Sequence, residues 1–403
     1  MKFFNVLINV GIVTAQCSNP RVRKEIRELS EKELHEFQDA VNKLHKERKE
    51  GMKSVSSFEY FTHIHNTNAD TIHFTPVFLP WHRYFIRKFE KELQRFNPNV
   101  MLPYWDWSLD ASEPHRSPVL SAKYMGGNGG AGRCVRDGLF ANWQMSYPQR
   151  HCLKRDFDQG RRLSAFSSSE SLLLDINARS FSDFAVQFEI KHGRPHDSIG
   201  GNSGDFAQMY SPNDPLFYLH HAFVDLIWDK WQKRNPNARY EGRRHGMLAD
   251  AGDELVGLDG ATVSDALNKS TKFFCYQYPQ YPRLIIGSNI PSRLRSLAKS
   301  IFEANPFSSG ELQQADLDSA LDQIPNLNQS TRLSSTSSEE AFAKFPLLKH
   351  PSNLSLDFIQ KNNINPAEVS LAQAKDHELT DKLNALTGFR SISSIQAVLN
   401  DFA

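Results

Sequence analysis

Two groups of histidines constrain this chain more than any other feature. The first lies in Tyr60-Phe-Thr-His-Ile-His65-Asn-Thr-Asn-Ala-Asp-Thr-Ile-His73-Phe-Thr-Pro-Val-Phe-Leu-Pro80-Trp-His82-Arg-Tyr, with no cysteine in the stretch. The second reads His192-Gly-Arg-Pro-His196 and then Asn213-Asp-Pro-Leu-Phe217-Tyr-Leu-His220-His221-Ala-Phe-Val-Asp225. Clustered neutral imidazoles suit copper, zinc, iron or nickel. One histidine in any of these places is ordinarily a hydrogen-bonded core residue. Two sets of three, each beside an aromatic helical pattern, point instead to two metal ions.

Spacing narrows the geometry. His192 and His196 are four apart and share one helical face. Pro195 lies between them, and proline is tolerated where amide donors are free, which predicts that His192 stands near a helix start. His73 and His82 have two prolines between them and must converge from a loop and a helix. His220 and His221 diverge by about 100° on a helix, so they do not readily serve one ion together. No His-Glu-x-x-His occurs, which argues against a zinc protease. No carboxylate keeps the histidine register, which argues against a non-haem iron triad or a carboxylate-bridged di-iron bundle. Three neutral histidines per ion, with positions left open, fit a pair of copper ions. Such a pair exchanges two electrons with O2 and draws them from an electron-rich ring, while the protein supplies geometry and a shielded pocket.

The 403 residues, 39% of them hydrophobic, suffice for one large domain with an appendage. With 47 basic against 46 acidic residues, nothing asks for nucleic acid or an anionic membrane surface. The 28 Phe, 11 Tyr and 6 Trp suit a packed core and a pocket for a flat ring. Residues 1–15 read as a signal peptide: Lys2, a short apolar run, then the small-residue site Val13-Thr-Ala15. That run is too short to span a membrane, and no later stretch is long enough. A secreted chain with Cys17, Cys134, Cys152 and Cys275 is expected to form disulfides. Cys134 with Cys152 across one loop and Cys17 with Cys275 is the first choice among three pairings.

Ser30 with Glu33 forms a capping box, opening a helix whose buried stripe is Leu34, Phe37, Val41 and Leu44. His35 and His45 flank that stripe and are expected at the surface. Ser56 to Asn66 reads as a short helix and Asn66 to Thr71 as a polar loop. Pro80 suits the first turn of a helix from Trp81 to Phe96. Pro103 to Trp107 is a rigid aromatic segment, and residues 108–165 look irregular. Helical patterning resumes from Ser167 to Arg194, and a strongly amphipathic helix is expected from Leu216 to Arg234. Asn326 to Glu340 is rich in Ser, Thr and Asn and reads as a linker. Asn268, Asn328 and Asn353 stand in glycosylation sequons.

At the histidines the chain resembles the tyrosinase and catechol oxidase family of type-3 copper proteins. Phe78-Leu-Pro-Trp-His82-Arg is similar to the family's first-copper signature, and Asn213 to Trp228 to its second-copper signature. The resemblance covers residues 16–281 and leaves 282–403 as a linker and C-terminal extension. It implies a mainly α fold: a four-helix bundle around a dicopper site, with long irregular loops and few short strands. It implies His65, His73 and His82 as ligands of one copper, with His63 the competitor of His65. It implies His192, His196 and His221 for the other, with His220 a packed neighbour. Asp225 is implied as an orienter one turn beyond His221. Phe217 corresponds to an aromatic over the site, and Glu189 to an acidic residue that orients a water. Tyr276-Gln-Tyr278 resembles the family's core-closing tyrosine motif, with Arg21 or Arg23 facing it in a cation–π contact.

There are departures from the family pattern. Thr71 stands where many fungal members carry a cysteine that forms a thioether. Gly193 follows His192 where members strong in monophenol hydroxylation often have Asn. Asp197 follows His196 and could accept a phenol proton. The expectation is a secreted dicopper oxidase that turns o-diphenols or o-aminophenols into quinones with O2, with monophenol hydroxylation as a further capacity. The alternative is a dicopper oxygen-binding protein of haemocyanin type without turnover. The extension is expected to shield the site until it is removed. The phenolic substrate and O2 are the expected small-molecule partners; the oligomeric state is open.

Overall fold

The architecture follows from helices whose ends are set by local chemistry and whose apolar side chains meet in one main core. In a computed structural model, residues 17–52, 54–244, 246–285, 292–305, 345–385 and 390–400 are described. The expected signal peptide, the Asn326–Glu340 linker and the Asn328 sequon lie outside them. Helix α1 (Glu31–Lys46) opens on the Ser30/Glu33 capping box and buries Leu34, Phe37, Val41 and Leu44. Helix α2 (Ser57–Thr67) opens on a second capping box, Ser56 with Glu59. The Glu59 carboxylate also accepts from the Ser146 and Tyr147 amides, tying α2 to a hairpin of β2 (Gln144–Met145) and β3 (His151–Cys152).

Residues expected to be a polar loop contain a short helix, α3 (Ala69–Ile72), because Ala69 and Ile72 pack inward. Helix α4 runs Phe78–Phe96, starting before the expected Trp81, with Pro80 in its first turn where no amide partner is lost. After the aromatic stretch and a long irregular region come α5 (Ser169–Ile176), α6 (Phe181–Gly200) and α7 (Leu216–Arg234). Two expectations are corrected here. Pro195 lies inside α6, and His192 is well beyond its start, because the packing of Phe184, Phe188 and Ile190 carries the helix through the proline. Helix α7 is not amphipathic in place: every residue from Leu216 to Asp229 is buried, as befits a central helix.

Helices α4 and α7 pack directly on each other, α1 covers α2 and α4, and α5 lies against α6 and α7. His45 is also a correction. Its ring is stacked 3.9 Å from Trp143 rather than standing at the surface, since Trp143 fills the groove beside α1. Strand β1 (Arg21–Val22) pairs in parallel with β6 (Tyr276–Gln277), next to the Cys17–Cys275 disulfide. The second disulfide is Cys134–Cys152, so both expected pairings occur. Between these lie β4 (Arg243–Arg244), β5 (Met247–Leu248) and α8 (Val263–Leu267). No helix among the described residues is long and apolar enough to cross a membrane.

Beyond Tyr281 the described helices are α9 (Ser292–Ala304), α10 (Leu356–Lys361), α11 (Pro366–Ala385) and α12 (Ile392–Asn400). They pack onto the core: Leu348, Leu379, Leu383 and Ile392 join the main apolar cluster.

Candidate metal centre

Seven imidazoles meet where α2, α4, α6 and α7 converge. His65 ends α2, His73 follows α3, and His82 is one turn into α4. His192 and His196 project from α6, and His220 and His221 from α7. The ligand-capable nitrogens of His65, His73 and His82 lie within 4.8 Å of one another, as do those of His192, His196, His220 and His221. His63 is left outside, its ring edge-on to Tyr147 at 5.2 Å.

The hydrogen bonds fix which nitrogen faces inward. His65 Nδ1 donates to the Met209 carbonyl (2.6 Å), His73 Nδ1 to Ala69 (3.1 Å) and His82 Nδ1 to Phe78 (2.8 Å). In the second group His196 Nδ1 donates to Phe206 (2.7 Å) and His192 Nδ1 to the Glu189 carbonyl. In these five rings the proton is thereby held on the outer nitrogen, and the Nε2 lone pair points into the centre. His65 Nε2 lies 3.3 Å from His82 Nε2, and His196 Nε2 lies 3.4 Å from His221 Nε2. Lone pairs facing each other at that distance repel unless a cation sits among them, so the donor set fits a bound metal ion in each group. Burial pushes every one of these imidazoles below its ordinary pKa, His73 and His196 to about 4, which keeps them neutral and free to ligate.

The two groups touch. The His82 and His221 rings stack at 4.4 Å. Phe78, quoted in the first motif but assigned no role there, lies 4.8 Å from His82 and 4.7 Å from His192, walling the space between the groups. Phe217 does the same from α7, 4.1 Å from His221 and 5.2 Å from His65. All four cysteines are paired in disulfides and Thr71 occupies the thioether position, so no cysteine reaches the site.

The other expected residues sit less simply. Asp225 lies on α7, but its carboxylate accepts from Arg83, Arg23, Tyr276 and Tyr278 rather than from an imidazole. Arg23, not Arg21, stacks on the tyrosine motif, 3.6 Å over Tyr276. Glu189 is fully buried, its Oε1 accepting from the Phe74 amide (2.6 Å) and its Oε2 paired with Arg244. Burial pushes its carboxyl up to about 7. Asp197 accepts from the Ser355 amide and hydroxyl, at the start of α10.

A narrow cleft opens over His65, His73, His192 and His196, bounded by Phe206 and Met209 and, from the C-terminal region, by Phe358 and Asn362. Gly193 faces Phe358, whose ring would come within 3.2 Å of a Cβ there. Nothing in the sequence flagged Phe206, Met209, Phe358 or Asn362, because each acts through a long-range contact and no motif contains it.

Comparison with known proteins accords with this geometry. The profile described as the common central domain of tyrosinase matches residues 55–234. The chain is 34% identical over 312 residues to tyrosinase ustQ of Aspergillus flavus, covering 69% of this chain and 85% of that protein. Its fold is similar to a solved mutant polyphenol oxidase of Thermothelomyces thermophila, with TM-score 0.56, 24% identity, and coverage of 65% of this chain and 89% of that one. It is also similar to an octopus hemocyanin functional unit, with TM-score 0.50, 21% identity, and coverage of 64% and 68%. The family uses a dinuclear copper centre, and the two histidine groups are placed to hold it. The chain belongs to the tyrosinase family of copper oxidoreductases.

Proposed function

We propose that the protein oxidises o-diphenols, or o-aminophenols, to quinones with O2, with monophenol hydroxylation as a further capacity to be tested. The observation that carries this reading is the pair of imidazole groups, tied through outer nitrogens to backbone carbonyls, whose inner lone pairs converge. His65, His73 and His82 would hold one copper ion, and His192, His196 and His221 the other. Bound copper supplies electron exchange: two diphenols each lose two electrons and two protons while one O2 becomes two waters.

The chain's own residues supply the rest. Carbonyl bonds to Nδ1 keep the rings of His65, His73, His82, His192 and His196 in one orientation. Phe78 and Phe217 exclude water between the two groups. Phe206, stacked 4.5 Å from His196, offers a flat wall for an aromatic ring. Asp197, next to His196 on α6, is assigned the role of phenol-proton acceptor once it is released from Ser355. Glu189 keeps Phe74, the residue after His73, fixed against α6. Arg23, Arg83 and the two tyrosines converge on Asp225 and lock α7 to α4 behind the site. Two disulfides support a secreted destination. The extension covers the cleft through Phe358 and Asn362, which supports a shielding role.

The test is copper content, near-ultraviolet absorption on adding hydrogen peroxide, and catechol oxidation, on one preparation. Two coppers, a new band and quinone formation are expected. Two coppers with the band and no turnover, even with the tail displaced, would favour oxygen binding without turnover. A chain without copper would end the reading.

A further inference from the structure

The tail does more than cover the cleft. Asp376 lies on α11 and is 2% exposed. Its Oδ2 accepts from Ser167 Oγ at 3.0 Å and from Arg194, and its Oδ1 accepts from Ser171 Oγ and lies 3.3 Å from Lys191 Nζ. Lys191 and Arg194 belong to α6, one on each side of His192. Both are buried. Arg194 also donates from Nε to the Ser352 carbonyl at 2.8 Å, so two of its three partners come from the tail and Ser167 is the third. Lys191 keeps Asp175 (2.9 Å) and the Ser171 carbonyl (3.1 Å). The cluster balances two cations against two carboxylates. Without Asp376 one buried cation beside the second histidine group has no counter-charge, a costly state.

Other polar contacts hold α12 and its neighbours: the Ile392 amide donates to buried Glu170 (2.7 Å), Asn400 Nδ2 donates to Asp110 (2.7 Å), Lys349 pairs with Glu113 (2.9 Å) at the surface, and Gln396 bonds the amide and carbonyl of Ile285 at the start of the extension. The stretch Leu354–Ile364 is different. Its polar hold on the core is Ser355 on Asp197, and its apolar side chains share a small separate cluster with Phe74, Ile190 and Ala207 of the core and Val369 and Ala372 of α11.

We infer that Asp376 is a positioning residue which holds, through Arg194 and Lys191, the part of α6 that carries His192 and His196, so that α11 and α12 are a resident part of the enzyme and only Leu354–Ile364 moves to admit substrate. This deepens the copper reading and rests on it for the word substrate. The proposal departs from a tail that must leave.

The test begins with a protease recognition sequence placed within residues 326–340 of the full chain. After cutting, the fragment that follows is expected to co-elute with the core in native buffer, to separate only in denaturant, and to leave both coppers in place. Asp376→Asn keeps the shape and removes the charge. Its cut form should release the fragment, and copper should fall from two ions towards one. Phe358→Ala should raise kcat/KM for catechol about tenfold at unchanged copper content, by favouring the open segment. Departure of the fragment from the cut wild-type protein with both coppers retained on the core would overturn the inference. So would an Asp376→Asn protein unchanged in both retention and copper, or a Phe358→Ala protein with unchanged kcat/KM. Retention is read by elution alone, so a failure of the copper reading shows separately, as an intact protein that binds no metal. Elution of the cut wild-type chain also decides the matter if Asp376→Asn fails to fold.

Discussion

Single side chains decide what each histidine group can bind. His220 and His221 are neighbours on α7, yet only His221 turns its Nε2 to His196 and its face to His82. His220 packs 4.7 Å from His196, with Trp107 and Phe206 on its other sides. Replacing His221 by Ala is expected to cost one copper per chain, while His220→Ala and His63→Ala keep both; metal analysis of the three purified variants checks this. Loss of one copper from His220→Ala would mean that the fourth imidazole is a ligand after all. A second prediction concerns Asp106, in the aromatic segment. It is 1% exposed, and burial pushes its carboxyl up to about 8, against a hydrogen bond from Ser108 that favours the charged form. The unfolded chain has the ordinary value of 3.8. The folded state therefore holds a proton that the unfolded state gives up, so this group's stability is full below about 4 and is lost as pH rises through about 8. Between those limits it contributes a slope of about 1.4 kcal/mol per pH unit. Asp106→Asn, always neutral, should remove that slope in urea titrations run from pH 5 to pH 8; an unchanged slope would show that Asp106 is ionised in the fold.

At the scale of elements, what could be read in the sequence was what is encoded locally. The Ser30/Glu33 box, Pro80 in a first helical turn, and the two long histidine motifs each lie within a few turns of chain, and each appears at or near its expected position. What could not be read depends on partners far away. Helix α7 looks amphipathic by pattern and is buried all round because α4, α5 and the tyrosine motif close on it. Pro195 looks like a helix start and is not, because α6 is held by packing along its length. The Asp376–Arg194 pair is 182 residues apart, and no local pattern announces it. Asp225 combines both cases: its place after His221 is in the motif, but its partners are Arg23 from β1's end, Arg83 from α4 and two tyrosines from the β6 segment. Charged partners hold its carboxyl below the ordinary range despite burial. Asp225→Asn leaves two buried guanidinium groups short of a counter-charge and is expected to destabilise the fold by about 3–5 kcal/mol. The measurement is the urea midpoint of the folded variant. A loss under about 1 kcal/mol would mean that Glu90, 2.8 Å from Arg23, carries the network alone.

For the whole molecule the same hub sits beside a covalent tie. Cys17–Cys275 closes a loop across a sequence separation of 258, and Cys134–Cys152 one across 18. The long loop brings the end of the core back to its start, sets β1 against β6, and so delivers Arg23 to Tyr276 and Asp225. The short loop staples a surface hairpin, with the Asn213 side chain bonded to the Tyr147 carbonyl nearby. Chain entropy in the unfolded state makes the long closure worth more, about 5 kcal/mol against about 3 kcal/mol for the short one. Serine replacement of both cysteines in each pair separates the two. The Cys17/Cys275 variant should show the larger fall in unfolding free energy, and its loss should not add to that of Asp225→Asn, because both act on one network. The Cys134/Cys152 variant should lose less, and its loss should add to that of Asp225→Asn. Simple addition between Cys17/Cys275 and Asp225 would show that the tie acts on the unfolded chain without helping to place Arg23, and equal losses for the two disulfides would contradict the loop-length argument itself. Non-addition would instead make the disulfide part of the frame behind the copper-binding helices, coupling its closure to the alignment of α4 and α7.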